Sequence, residues 1–171
     1  IRYGQYQKPK TGAGGGVKLL IKHRIIKFAI IAILTGVVRT TVVFWLPTYL
    51  AQYLKFSEQQ ASLLFTAATL VISGSAFVAV FVYERLGRNM DLTILLAFSL
   101  SALSFLLVYL FKQPTFNIAF MILAIFSSNC AASMLWSRYC PSLRDTGMVS
   151  SATGFLDFLS YMAAAAANLI F

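Results

Sequence analysis

The sequence predicts an all-α fold, a polytopic bundle of transmembrane helices. This follows from its composition, its apolar segments and the placement of its basic residues. The 171 residues are 59% hydrophobic and only 11% charged, whereas soluble domains carry about 25% charged residues. A helix of about 20 apolar residues is long enough to cross a bilayer. The chain contains five such segments, at about residues 26–49, 60–83, 92–111, 116–136 and 148–171.

The basic residues lie mainly on one side of this arrangement. Short connections make neighbouring helices antiparallel, so the loops alternate between the two sides. Of the 14 Lys and Arg residues, eleven fall before or at the start of the first segment or in loops on that same side, and only Lys55 and Lys112 fall on the other. The positive-inside rule then predicts a multi-pass protein of the inner or plasma membrane, with the N-terminal end of this chain in the cytoplasm.

Residues 1–24 are basic and rich in glycine, which predicts a cytoplasmic linker. Toward its end, residues 17–27 alternate basic and apolar side chains at helical spacing, as an interfacial helix on an anionic leaflet would. The chain begins with Ile and has an odd number of apolar segments. We therefore expect it to be part of a longer polypeptide.

Arg39 lies deep in the first apolar segment. Placing Arg at the centre of a membrane helix costs roughly 2.5–3.5 kcal/mol on insertion scales, so such a residue is a functional candidate by default. Thr35 and Thr40 lie beside it on the same helix, and their hydroxyls are candidate ligand contacts. Asp157, in the last segment, is the other deep ionisable residue. Two interpretations stay open: a structural ion pair between Arg39 and Asp157, or an anionic substrate that competes with Asp157 for the arginine.

Other small and polar residues mark packing or cavity positions. Residues 73–76 read Ser-Gly-Ser-Ala, and Ser150 and Gly154 stand four residues apart, which predicts close helix packing at both places. Asn129, among the serines of the fourth segment, is a candidate cavity residue or an interhelical hydrogen-bonding group. Pro47 predicts a kink or an end of the first helix.

The loop after the second segment contains Glu84, Arg85, Gly87 and Arg88. It predicts either positive-inside charge around a glycine turn or a charge latch between helix ends. Residues 84–88, Glu-Arg-Leu-Gly-Arg, resemble the signature loop of the major facilitator superfamily, Asp-Arg-x-Gly-Arg-Arg/Lys, with Glu in place of the usual Asp. The resemblance implies the C-terminal half of that fold, with the five segments as about helices seven to eleven of twelve.

A narrower resemblance begins at Arg39. Residues 45–50, Trp-Leu-Pro-Thr-Tyr-Leu, follow it at the offset seen in the seventh helix of organophosphate:phosphate antiporters, the glycerol-3-phosphate and hexose-phosphate transporters. Residues 147–161, which end at Tyr161, are similar to the eleventh helix of that family. The resemblance implies that Arg39 binds phosphate together with an arginine of the N-terminal half, and it adds Tyr161 to the candidate substrate contacts. Asp157 departs from the family pattern, where a small residue is expected.

These observations predict a secondary active transporter that moves an organic phosphate, in exchange for inorganic phosphate, by alternating access. Two alternatives stay open. One is a proton-coupled carrier of an organic anion or sugar acid in which Asp157 titrates, and the other is a membrane sensor that keeps the transporter fold without flux. We expect no enzyme activity, metal or cofactor. The expected partners are a small anionic solute, the lipid bilayer and the N-terminal half of the same polypeptide, not nucleic acid.

Overall fold

A computed structural model describes residues 20–170, which are helical and contain no strand. Most of the predicted linker, residues 1–19, lies outside the described residues. The predicted all-α fold is confirmed. We name the five long helices in chain order: α1 Ile25–Tyr53, α2 Glu58–Arg85, α3 Met90–Leu110, α4 Pro114–Ser142 and α5 Val149–Asn168.

Each of the five helices overlaps one of the predicted apolar segments. Helices α1 to α4 are long and apolar enough to cross a membrane. Helix α5 has 20 residues but is not among them, because Asp157 and several serines make its composition more polar. The described part of the chain therefore has four membrane-spanning helices by length and composition, and a fifth that packs beside α1.

Several helices begin at residues that pair the first backbone N–H groups, which have no partner inside a helix. At α2, Ser57 Oγ accepts from the Gln60 N–H and the Gln60 side chain accepts from the Ser57 N–H, which forms a capping box. At α3, Asn89 Oδ1 accepts from the Leu92 N–H. Helix α4 starts with Pro114 in its first turn, where a missing N–H costs nothing.

Helix α1 does not end at Pro47. It continues to Tyr53, with a π-helical turn before the proline segment, Val37–Val42, and another after it, Tyr49–Tyr53. Proline removes one backbone hydrogen bond and crowds the preceding turn, and wider π turns are one way for a helix to continue past such a defect. Arg39 lies in the first of these turns.

The buried apolar residues form two clusters at opposite ends of the bundle. Cluster I surrounds the start of α1 and the end of α4; its members include Phe28, Ile31, Ala79, Met134, Leu135, Leu143 and Leu156. Cluster II surrounds the end of α1 and the start of α4; its members are Leu46, Leu50, Ala61, Ala68, Met121 and Ile125. Helix α4 contributes to both and packs against α1, α2 and α3.

Helices α1 and α5 approach closely at Gly36 and Ser160. A Cβ atom on Gly36 would lie 2.6 Å from the carbonyl oxygen and 2.8 Å from the Cα atom of Ser160. The predicted packing position at Gly154 was wrong, because a Cβ atom there would meet no described atom within 4 Å. The small residue that permits the close approach is therefore on α1, and backbone contact of this kind is typical of membrane helix pairs.

Candidate functional site

Polar side chains occupy the level between clusters I and II. On three helices, polar residues lie between the residues of cluster I and those of cluster II. They are Thr35 and Arg39 on α1, Ser75 on α2, and Ser128 and Asn129 on α4. Thr35, Ser75 and Ser128 are buried. Buried polar groups need partners, because each unpaired one costs about 1–3 kcal/mol. A polar layer inside an apolar bundle is therefore a candidate binding site.

A cavity of about 140 Å³ opens in this polar layer. It brings together three of the predicted site residues, Thr35, Arg39 and Asn129. The other lining residues are Val38, Val43, Ile72, Ile125 and Ser128. The sequence pattern thus identified the polar lining on α1 and α4, and the structure shows that it belongs to one cavity.

Arg39 is exposed, and its guanidinium carbon lies 6.0 Å from the centre of the Tyr161 ring on α5. This distance is within the range of a cation–π interaction. No carboxylate between residues 20 and 170 lies within 4.0 Å of its nitrogens; the ion pairs in that range are Arg24–Asp91 and Lys27–Asp91. Tyr161, predicted from the family resemblance, is therefore the aromatic neighbour of Arg39.

The structure does not bring Asp157 to Arg39. Gly36 contacts Ser160, and the Trp45 Nε1–H donates to Asn168 Oδ1 at 3.0 Å, so α1 and α5 run parallel. Gly36 lies opposite Ser160. Arg39 comes three residues after Gly36 on α1 and Asp157 comes three residues before Ser160 on α5, so the two residues are about 9 Å apart along the helix axes. The considered ion pair is thus not formed. Asp157 is half-buried and makes no hydrogen bond or ion pair with any residue in the described range.

The three remaining polar residues from the prediction behave differently from one another. Asn129 Nδ2 donates to Ser75 Oγ at 2.9 Å, which joins α4 to α2. The Thr35 hydroxyl donates to the Ile31 carbonyl at 2.8 Å within its own helix. Thr40 is not part of the cavity lining. Sequence reasoning missed Ser75, which it assigned only to helix packing.

The loop residues Glu84, Arg85, Gly87 and Arg88 are all exposed. Gly87 has φ +63°, as expected for glycine in a tight turn, and the Arg85 guanidinium lies 5.3 Å from the Phe81 ring centre. Among the described residues, none of the charged members of this loop forms an ion pair within 4.0 Å. The charge latch proposed for them is not formed in this structure.

A charge cluster does join two helix ends next to this loop. Asp91, in the first turn of α3, lies 2.8 Å from Lys27 Nζ and 3.4 Å from Arg24 Nη1 at the start of α1. The sequence signal for it was the acid in the first turn of α3 facing a basic run before α1. Because all three side chains are substantially exposed, the cluster contributes little to stability.

The chain was compared with protein families, curated proteins and solved structures. The family described as Major Facilitator Superfamily matches residues 4–168. No curated protein matches the chain, and no solved structure does. The family match covers nearly all of the sequence, and so includes all five helices and the cavity around Arg39.

Proposed function

Because the chain belongs to the major facilitator superfamily, and is thus an integral multi-pass membrane protein of a transporter family, we propose that it carries an organic phosphate in exchange for inorganic phosphate. Arg39 binds the anion near the middle of the membrane, and the two sides of the membrane gain access to it in turn. The basic loops and the start of α1 face the cytoplasm of an inner or plasma membrane. No catalytic step is involved.

The observation that carries this proposal is an arginine without an ion-pair partner among residues 20–170, which lines a cavity together with Thr35, Ser128 and Asn129 between two apolar clusters. An unpaired charge inside a membrane is costly, and a bound anion offsets that cost. The planar guanidinium matches two oxygens of a phosphate or carboxylate at once. The resemblance of residues 39–50 to the seventh helix of organophosphate:phosphate antiporters favours phosphate.

The test is exchange in proteoliposomes that contain the purified protein. Inorganic phosphate loaded inside should accelerate uptake of labelled glycerol phosphate or hexose phosphate. Arg39→Lys removes the bidentate geometry but keeps the charge, and we expect exchange to fall roughly 10- to 100-fold, as for loss of a strong hydrogen bond to a charged group. Arg144→Lys, in the exposed turn before α5, is the matched control and should exchange normally.

Normal exchange by Arg39→Lys would refute the assignment of the anion site. A wild-type protein that binds phosphate esters but moves none across the membrane would instead support the sensor interpretation. Circular dichroism of Arg39→Lys that matches wild type and Arg144→Lys would separate a lost site from lost folding.

A second function is favoured by Asp157. This carboxylate is half-buried in α5 and has no ion-pair partner in the described range, as expected for a group that exchanges protons during transport. In a proton-coupled carrier of an organic anion or sugar acid, an inward proton gradient would drive uptake without internal phosphate. Asp157→Asn would abolish that dependence on the gradient, whereas phosphate exchange would not respond to it.

A further inference from the structure

The cavity around Arg39 offers an unusual balance of hydrogen-bonding groups. Arginine has five N–H donors and no acceptor. The hydroxyl hydrogen of Thr35 is committed to the Ile31 carbonyl at 2.8 Å, so its oxygen can only accept from a ligand. A bare anion would use the donors and leave the acceptors unpaired. The lining is therefore complementary to a molecule that is both an anion and a hydrogen-bond donor.

Asn129 supplies the main acceptor because Ser75 fixes its orientation. Ser75 is fully buried and follows Gly74, where α2 is interrupted. Its Oγ accepts from Asn129 Nδ2 at 2.9 Å, and its carbonyl accepts from the Cys130 thiol at 3.3 Å. With the amide nitrogen donating to Ser75, the amide oxygen on the same carbon stays available as an acceptor. No side chain or backbone group among residues 20–170 donates to it.

We propose that Asn129, oriented by Ser75, makes the site selective for anions that carry a hydroxyl group beside the charged group. The hydroxyl donates to Asn129 Oδ1 while the phosphate or carboxylate oxygens accept from Arg39. This inference rests on anion binding at Arg39, as proposed above, but not on the anion being a phosphate. Asn129 is a specificity-determining residue, and Ser75 is a positioning residue.

The size of the cavity limits the part of the ligand that it encloses. Its volume is about 140 Å³, and a cavity of about 150 Å³ holds a molecule the size of benzene. The enclosed part is therefore an anionic group with a few carbons and their hydroxyls. An analogue without the hydroxyl should bind more weakly, because it leaves the Asn129 amide oxygen unpaired.

The experiment compares glycerol phosphate with propyl phosphate, which lacks both hydroxyls, as competitors of labelled substrate uptake by the reconstituted protein. Wild type should prefer glycerol phosphate roughly 3- to 10-fold, the value of one neutral hydrogen bond. Asn129→Ala should lose this preference, because competition by glycerol phosphate weakens more than competition by propyl phosphate. Ser75→Ala should reduce the preference through KM with little change in kcat. Ser104→Ala is the control, because among residues 20–170 this buried serine hydroxyl donates only to the Leu100 carbonyl, at 2.8 Å.

Equal weakening of both competitors in Asn129→Ala, or an unchanged preference, would overturn the proposal. If Asn129→Ala does not purify as a folded protein, Ser75→Ala alone decides, because a purely structural serine would not change the ratio of the two competitors. If wild type accepts no phosphate ester, glycerate and propionate replace the pair. A hydroxyl preference in the carboxylate series would support Asn129 while refuting phosphate, and no preference in either series would refute the inference.

Discussion

Gly36→Ala tests the contact that sets the register of α1 and α5. The new Cβ atom would lie 2.6 Å from the Ser160 carbonyl oxygen and 2.8 Å from its Cα atom, whereas ordinary contacts are 3.4–4 Å. Both neighbours are backbone atoms, so no side-chain rotation relieves the overlap and the helices must separate by roughly 1 Å in a close-packed interior. Overpacking of this kind costs typically about 1–3 kcal/mol. We expect that loss in the free energy of unfolding.

The assay is reversible unfolding of the purified protein in mixed micelles, followed by circular dichroism. Gly154→Ala is the matched control on α5, because its Cβ atom would meet no described atom within 4 Å. Removing a glycine from a helix interior there should stabilise the protein by roughly 0.5–1 kcal/mol. Equal effects of the two substitutions would show that α1 and α5 do not meet at Gly36. The separation of Arg39 from Asp157, which was inferred from that contact, would then be refuted as well.

Two further predictions concern the charged groups. Tyr161→Leu removes the ring that lies 6.0 Å from the Arg39 guanidinium. A cation–π contact is worth about 0.5–1 kcal/mol, so substrate affinity measured by equilibrium binding should change about two- to fivefold, whereas Tyr161→Phe keeps the ring and should bind as wild type. Equal affinities of the two variants would contradict the contact. Asp91→Asn removes both exposed ion pairs, with Lys27 and Arg24. The free energy of unfolding should fall by less than about 1 kcal/mol, and this loss should vanish at high salt. A larger loss that does not depend on salt would contradict the conclusion that these ion pairs are exposed and weak.

Much of the polar lining of the candidate cavity was predictable, because polar residues are rare in segments long and apolar enough to cross lipid. Arg39 stood out as a charge in a long apolar run, and Thr35 and Asn129 were identified by their positions on helices that had to face a cavity. Ser75 was not identified, because a serine beside glycine in an apolar helix is as typical of packing as of hydrogen bonding. Only the contact between α2 and α4 shows which role it has.

The relation between Arg39 and Asp157 could not be predicted, because depth counted from each helix end ignores where the helices cross. The crossing at Gly36 and Ser160 shifts one helix relative to the other, and a glycine in sequence does not indicate which residue it will meet. The same limit applies to Gly154, which has the spacing of a packing residue but meets no described atom. Whether a segment is helical follows from its own composition, whereas the register between two packed helices depends on which residues of one contact which residues of the other.

Clusters I and II each bury their own apolar residues, with the polar layer between them. Within that layer α1 has the π turn Val37–Val42 and α2 is interrupted at Gly74. A bend at this level would leave most of the apolar contacts within each cluster in place, and would disturb the valines of the π turn that pack against cluster II together with hydrogen bonds that water or a ligand can replace. The bundle is therefore most easily bent at the level of the candidate site, where tilting of its two ends requires an exchange of polar partners more than the opening of a core.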